Sequence, residues 1–93
     1  MNLNKFYLVE DDDTGEQKLF ASRINAINYM FEECQKINAI LYPAYLPSRS
    51  LAVCYPDITL RKMYLFGLDT NAINDVFECY YFLRELTVED LAQ

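Results

Sequence analysis

Residues 19–32 read LFASRINAINYMFE, and residues 65–78 read LFGLDTNAINDVFE. Eight of these fourteen positions are identical at a spacing of 46 residues, half the length of the 93-residue chain. Unrelated stretches of this length would share about one. The repeat therefore constrains the fold more than any other feature. Whatever supersecondary unit surrounds the first copy is expected again around the second, as in a tandem duplication.

The first unit, residues 1–41, reads as strand, strand, helix. Lys5-Phe6-Tyr7-Leu8-Val9-Glu10 is a short run of β-formers. The acidic stretch EDDDTGEQ breaks it at Gly15, and Gln17-Lys18-Leu19-Phe20-Ala21 makes the returning strand of a hairpin. Ser22 is a helix N-cap, because its hydroxyl can accept from a backbone N–H of the first turn. Ile24, Ile27, Phe31 and Cys34 then fall on one face of a helix running to about Asn38.

The second unit, residues 51–93, is expected to follow the same plan. Leu51–Tyr55 forms a strand, Pro56-Asp57 a turn, and Leu60 to about Gly67 the next strand. Asp69 or Thr70 caps a helix from Asn71 to about Leu86, with Ile73, Val76, Phe77, Tyr80 and Leu83 as its core stripe. Residues 42–50, with Pro43 and Pro47, connect the units. Thr87 and Asp90 stand at capping-box spacing for a last helical turn, with Asp in place of Glu or Gln. The whole chain reads as a single α+β domain. Its two tandem ββα units form a mainly antiparallel four-stranded sheet with two helices on one face.

Composition excludes several chemistries. With no histidine there is no Ser-His or Cys-His couple and no histidine-ligated metal. Two glycines cannot build a phosphate-cradling loop. Cys34, Cys54 and Cys79 are odd in number and far apart, which fits core thiols rather than a disulfide framework. Asp13-Thr14-Gly15 is the tripeptide that carries the catalytic carboxylate of aspartic proteases. Here it follows Glu10-Asp11-Asp12 instead of a dry apolar strand, and no glycine-rich flap exists. A calcium loop with Gly15 at its glycine position would need a glutamate where Ala21 stands. An acidic hairpin turn is the remaining reading, and the chain is not expected to be an enzyme. No metal and no cofactor are expected.

The two copies differ behind their core stripes. Glu33, Lys36 and Ile40 in the first correspond to Cys79, Phe82 and Leu86 in the second. On a helix, Cys79, Phe82 and Leu86, with Tyr81 beside them, would make a second apolar side, which suits homodimer formation through the second helix, cover by the connector or the C-terminal tail being the alternative. The repeated Asn25/Asn71 and Asn28/Asn74 sit in the first helical turns, where local capping is their usual role and a ligand site the alternative.

The net charge is −6, with fourteen acidic against eight basic residues spread over both halves. Direct nucleic-acid binding, which needs clustered Lys and Arg, is not expected. No apolar leader opens the chain and no apolar run approaches the ~20 residues of a membrane span, so no membrane partner is expected. The expected setting is cytoplasmic. Glu10, Asp11, Asp12, Asp13 and Glu16 form an acidic knob suited to a protein partner with a basic groove, such as a nucleic-acid-handling enzyme. In size, charge and composition the chain resembles small phage or mobile-element products, including anti-CRISPR and anti-restriction inhibitors. That resemblance implies a small non-enzymatic inhibitor that binds a host protein, in the host cytoplasm if the chain is phage-encoded. A dimeric small-molecule-binding or sequestering protein, with the paired asparagines and tyrosines lining its site, is the second reading, and a structural or assembly subunit the third.

Overall fold

The computed structural model describes residues 5–37 and 63–91. The expected strand at 51–55 and the connector at 42–50 lie outside them. In chain order the elements are β1 (Lys5–Asp11), β2 (Gln17–Phe20), α1 (Arg23–Lys36), a helical stretch over 63–66, α2 (Thr70–Val76), β3 (Tyr81–Thr87) and α3 (Val88–Leu91). The sheet is antiparallel in the order β2-β1-β3. Among the described residues the expected four-stranded sheet of two ββα units is thereby corrected to a three-stranded one, and the helical stretch at 63–66 departs from the ββα plan that the first unit follows.

The hairpin forms as the turn residues require. Gly15 adopts φ +74°, a left-handed conformation that glycine enters without the Cβ penalty, and its N–H donates to the Asp11 carbonyl at 2.8 Å. Cross-strand partners share a face of the sheet, so Tyr7, Val9, Phe20, Tyr81 and Leu83 face the core. Phe6, Leu8, Leu19, Phe82 and Leu86 face the opposite side.

α1 lies across the core face of β1 and β2. Ser22 caps it as expected, its hydroxyl accepting from the Asn25 N–H at 3.3 Å. The buried stripe is Ala26, Ile27, Met30, Phe31 and Cys34. Ile24, expected in that stripe, is 53% exposed, because one residue into the helix it points away from the sheet. The core joins these side chains to Val9, Leu65, Ile73, Val76, Phe77 and Leu83.

The second copy departs from the first in two places. Residues 63–66 are helical instead of extended, and Leu65 is fully buried where its counterpart Leu19 is 48% exposed. The second helix does not continue to Leu86. It ends at Val76, and the N–H groups of Tyr80 and Tyr81 both turn back to the Phe77 carbonyl at 2.9 and 3.0 Å. Cys79 takes φ +74° in this turn, which breaks the helix and sends Tyr81 onward as a strand.

Consequently Cys79, Phe82 and Leu86 are not a helical stripe. Cys79 lies in the turn, and Phe82 and Leu86 alternate along β3 with Leu83 between them. A dimer through the second helix loses its basis, because α2 has only seven residues and no Phe82 on it.

Two side chains bind the second copy to the rest. Arg23 donates from Nη1 to the Phe66 carbonyl at 3.0 Å and from Nη2 to the Leu68 carbonyl, while its Nε lies 3.9 Å from Glu85 Oε1. Asn74 donates from Nδ2 to the Leu83 carbonyl at 3.0 Å and accepts from the Leu83 N–H at 2.7 Å. Its amide thus takes the place of a neighbouring strand at the outer edge of β3.

The expected capping box is present: the Thr87 N–H donates to Asp90 Oδ2 at 2.7 Å, and the Asp90 N–H to Thr87 Oγ1 at 3.3 Å. The Thr87 N–H and hydroxyl, both donating to Asp90 Oδ2, lower the Asp90 carboxyl from its ordinary value. Among the described residues no helix is long and apolar enough to cross a membrane.

Candidate functional site

The acidic residues of the hairpin do three different jobs. Asp11 Oδ1 accepts from the N–H groups of Asp13 and Thr14 at 2.8 and 3.1 Å, so its carboxylate shapes the turn from inside. Glu10 points to the sheet face away from the core, where Gln17 Nε2 donates to it at 3.3 Å. The exposed carboxylates of Asp12, Asp13 and Glu16 make no hydrogen bond or ion pair among the described residues. The expected five-residue knob is therefore a three-carboxylate tip.

The turn beneath that tip is held firmly. The Glu16 N–H donates to Thr14 Oγ1 at 3.1 Å, and the Asp11 N–H to the Glu16 carbonyl at 2.8 Å. The Asp12 N–H donates to the Tyr80 carbonyl at 3.0 Å, which joins the hairpin tip to the turn that precedes β3. Two chain reversals far apart in sequence are thus sutured into one surface.

Between them lies a cleft of about 290 Å³, lined by Asp11, Asp13, Glu33, Cys79, Tyr80 and Tyr81, with Ile37 at its α1 end. The cleft brings Asp11 and Asp13 of the knob together with Cys79 and Tyr81 of the expected apolar stripe. Phe82 and Leu86 remain on the opposite side of the sheet. Glu33 and Tyr80 join the site only through the fold. Nothing local in the sequence marks them, since Glu33 reads as the solvated back of α1 and Tyr80 as a core position.

The electrostatics of this region are negative. Burial, then the nearby Tyr29, Asp11 and Glu33, pushes the Tyr81 phenol up to about 12. Burial and the carboxylates of Glu33, Glu16 and Asp11 also raise Tyr29. Burial, with Glu33 and Asp11, pushes the Cys34 thiol up to about 11, so Cys34 stays a neutral core group rather than a nucleophile.

Two of the chain's own cations sit here: Lys36 Nζ donates to Glu33 Oε1 at 2.8 Å, and Lys18 lies over aromatic rings. Lys18 Nζ stands 4.5 Å from the centroid of the Tyr29 ring and 5.8 Å from that of Phe20. Tyr29 in turn meets Tyr81 edge-on at 6.1 Å.

Other arrangements are not assembled. Among the described residues no group of three His, Cys, Asp or Glu side chains is placed to hold a metal ion. The repeated asparagines do not converge on a common ligand: Asn28 bonds Glu32 at 3.2 Å on the surface of α1, and Asn74 is committed to Leu83. Compared with known proteins, the chain matches no family model, no curated protein and no solved structure.

Proposed function

We propose that this chain is a small non-enzymatic inhibitor that seats its hairpin tip in a basic groove of a partner protein, such as the groove in which a nucleic-acid-handling enzyme holds its substrate. One observation carries the reading. The carboxylates of Asp12, Asp13 and Glu16 project without partners among the described residues from a turn whose backbone is already held by Asp11, Thr14 and Tyr80. A tip that is ordered before binding loses little conformational freedom on docking.

The adjoining cleft extends the same chemistry. A lysine or arginine of the partner entering it would meet the carboxylate of Asp13, with the rings of Tyr80 and Tyr81 beside it and Glu33 already paired with Lys36. The net charge of −6 adds long-range attraction toward a basic surface and speeds encounter. An origin in a phage or mobile element accords with an inhibitor of this size and charge.

The test is capture from a bacterial lysate with the tagged protein, followed by binding of the purified partner. The Asp12→Lys/Asp13→Lys variant is expected to weaken association by at least ~10-fold, with steep weakening of the parent complex as salt rises. A complex indifferent both to salt and to this charge reversal would refute a basic groove as the target.

A further inference from the structure

Among the described residues, α1 covers the sheet on one face and no element covers the other. On its other face the strand register sets Phe6 beside Leu86, Leu8 between Leu19 and Arg84, and Glu10 beside Phe82. Leu19 and Phe82 are each 48% exposed. Five apolar side chains thus surround one carboxylate and one guanidinium. Arg84 makes no hydrogen bond or ion pair among the described residues, although Glu10 is its diagonal neighbour. We propose that this outer sheet face is a homodimer interface, in which Glu10 of each protomer pairs with Arg84 of the other.

Charge selects the occupant. The chain as a whole carries −6, so two copies repel wherever their charges are not cancelled. On this face one negative and one positive group stand side by side. It attracts neither a basic nor an acidic partner at long range, and it lacks the lysine and arginine cluster that an anionic membrane would require. Its charges complement a copy of itself. A two-fold axis lying in the interface and passing near Leu8 and Phe82 sets Glu10 against Arg84 twice, and Leu19 against Phe6 twice, as an isologous contact demands. The axis runs diagonally to the strands, so the two sheets cross at a large angle, close to orthogonal packing.

The outer edge of the sheet at β3 is largely occupied. The Asn74 amide occupies both backbone groups of Leu83, the Tyr81 N–H turns back to Phe77, and the Thr87 N–H is taken by Asp90. A second copy therefore meets β3 through its face rather than by extending the sheet beyond it.

This interface lies apart from the hairpin tip, so it can stand or fall without the inhibitor reading. The experiment is sedimentation velocity across micromolar concentrations on the full chain, with circular dichroism as the check on folding. The parent protein is expected to dimerise. Glu10→Arg alone and Arg84→Glu alone should each weaken the dimer by at least ~10-fold through two like-charge contacts. The double exchange Glu10→Arg/Arg84→Glu should restore it, and Asp12→Lys/Asp13→Lys should leave it intact. Phe82→Asp should give a folded monomer. A parent protein that stays monomeric, a double exchange that fails to restore the dimer, or a Phe82→Asp variant that unfolds would each overturn the proposal. The last outcome would mean that the face is covered within its own chain.

Discussion

The two copies of the repeat share a helical centre and differ at both ends. In each, the NAIN stretch opens a helix, and the same isoleucine and phenylalanine are buried: Ile27 and Phe31 in the first copy, Ile73 and Phe77 in the second. Before the helix, the shared Leu-Phe pair is strand β2 in one copy and a buried helical stretch in the other. After it, α1 continues to Lys36 while α2 halts at Val76. Identical residues thus secure the burial pattern of two helical turns. The neighbours decide how long each helix lasts and what precedes it. Glu33-Cys34-Gln35-Lys36 sustain a helix, with a Glu33–Lys36 ion pair at 2.8 Å. Cys79-Tyr80-Tyr81-Phe82 do not, because aromatic residues lose rotamer freedom in a helix and gain packing in a strand.

The deepest test of this shared centre is truncation of its phenylalanines. Phe31→Ala and Phe77→Ala should each lower unfolding free energy by about 3–5 kcal/mol in urea titrations, since both empty a fully packed site. A markedly cheaper Phe77→Ala would show that the second copy does not share the core. The asparagines should separate the copies next. Asn74→Ala strands both backbone groups of Leu83 and should cost about 2 kcal/mol, whereas Asn28→Ala, at the surface, should stay within about 0.5 kcal/mol. Equal effects at the two positions would remove Asn74 from its place at the edge of β3. The smallest contrast lies in the caps. Ser22 accepts from Asn25 and Asp69 from Ala72, one position out of step in the repeat, and replacement of either by alanine should lower stability by about 1 kcal/mol. A null effect at Asp69 would mean that α2 is held by tertiary contacts alone.

Much of the local structure can be read from the residues. The acidic stretch announces its turn through Gly15, Ser22 and Asp69 announce helix starts, and Thr87 with Asp90 announces α3. The core residues Ile73, Val76, Phe77 and Leu83 are also recognisable, although Leu83 reaches the core from a strand. Tyr80–Leu86 misleads because its apolar residues satisfy both a helical and an alternating pattern, and the repeat weights the choice toward helix. The strand wins through contacts that no local pattern encodes: the pairing of Leu83 with Val9, and the Asn74 amide on Leu83 from nine residues upstream. For the same reason the candidate site is half legible. The carboxylates of the hairpin are plain, but their division of labour and the approach of Glu33 and Tyr80 depend on the tertiary fold.

Arg23 and β3 together set the order in which this protein can be completed. On the ribosome β1 emerges first, yet it is the central strand and its longer partner is the last strand made. The guanidinium of Arg23 likewise waits for the carbonyls of Phe66 and Leu68. A nascent chain carrying only the first copy would expose the open edge of β1 and an unanswered charge. Completion of the sheet therefore waits until β3 has been made, and the β1–β3 pairing is a contact of high sequence separation, the kind that slows folding.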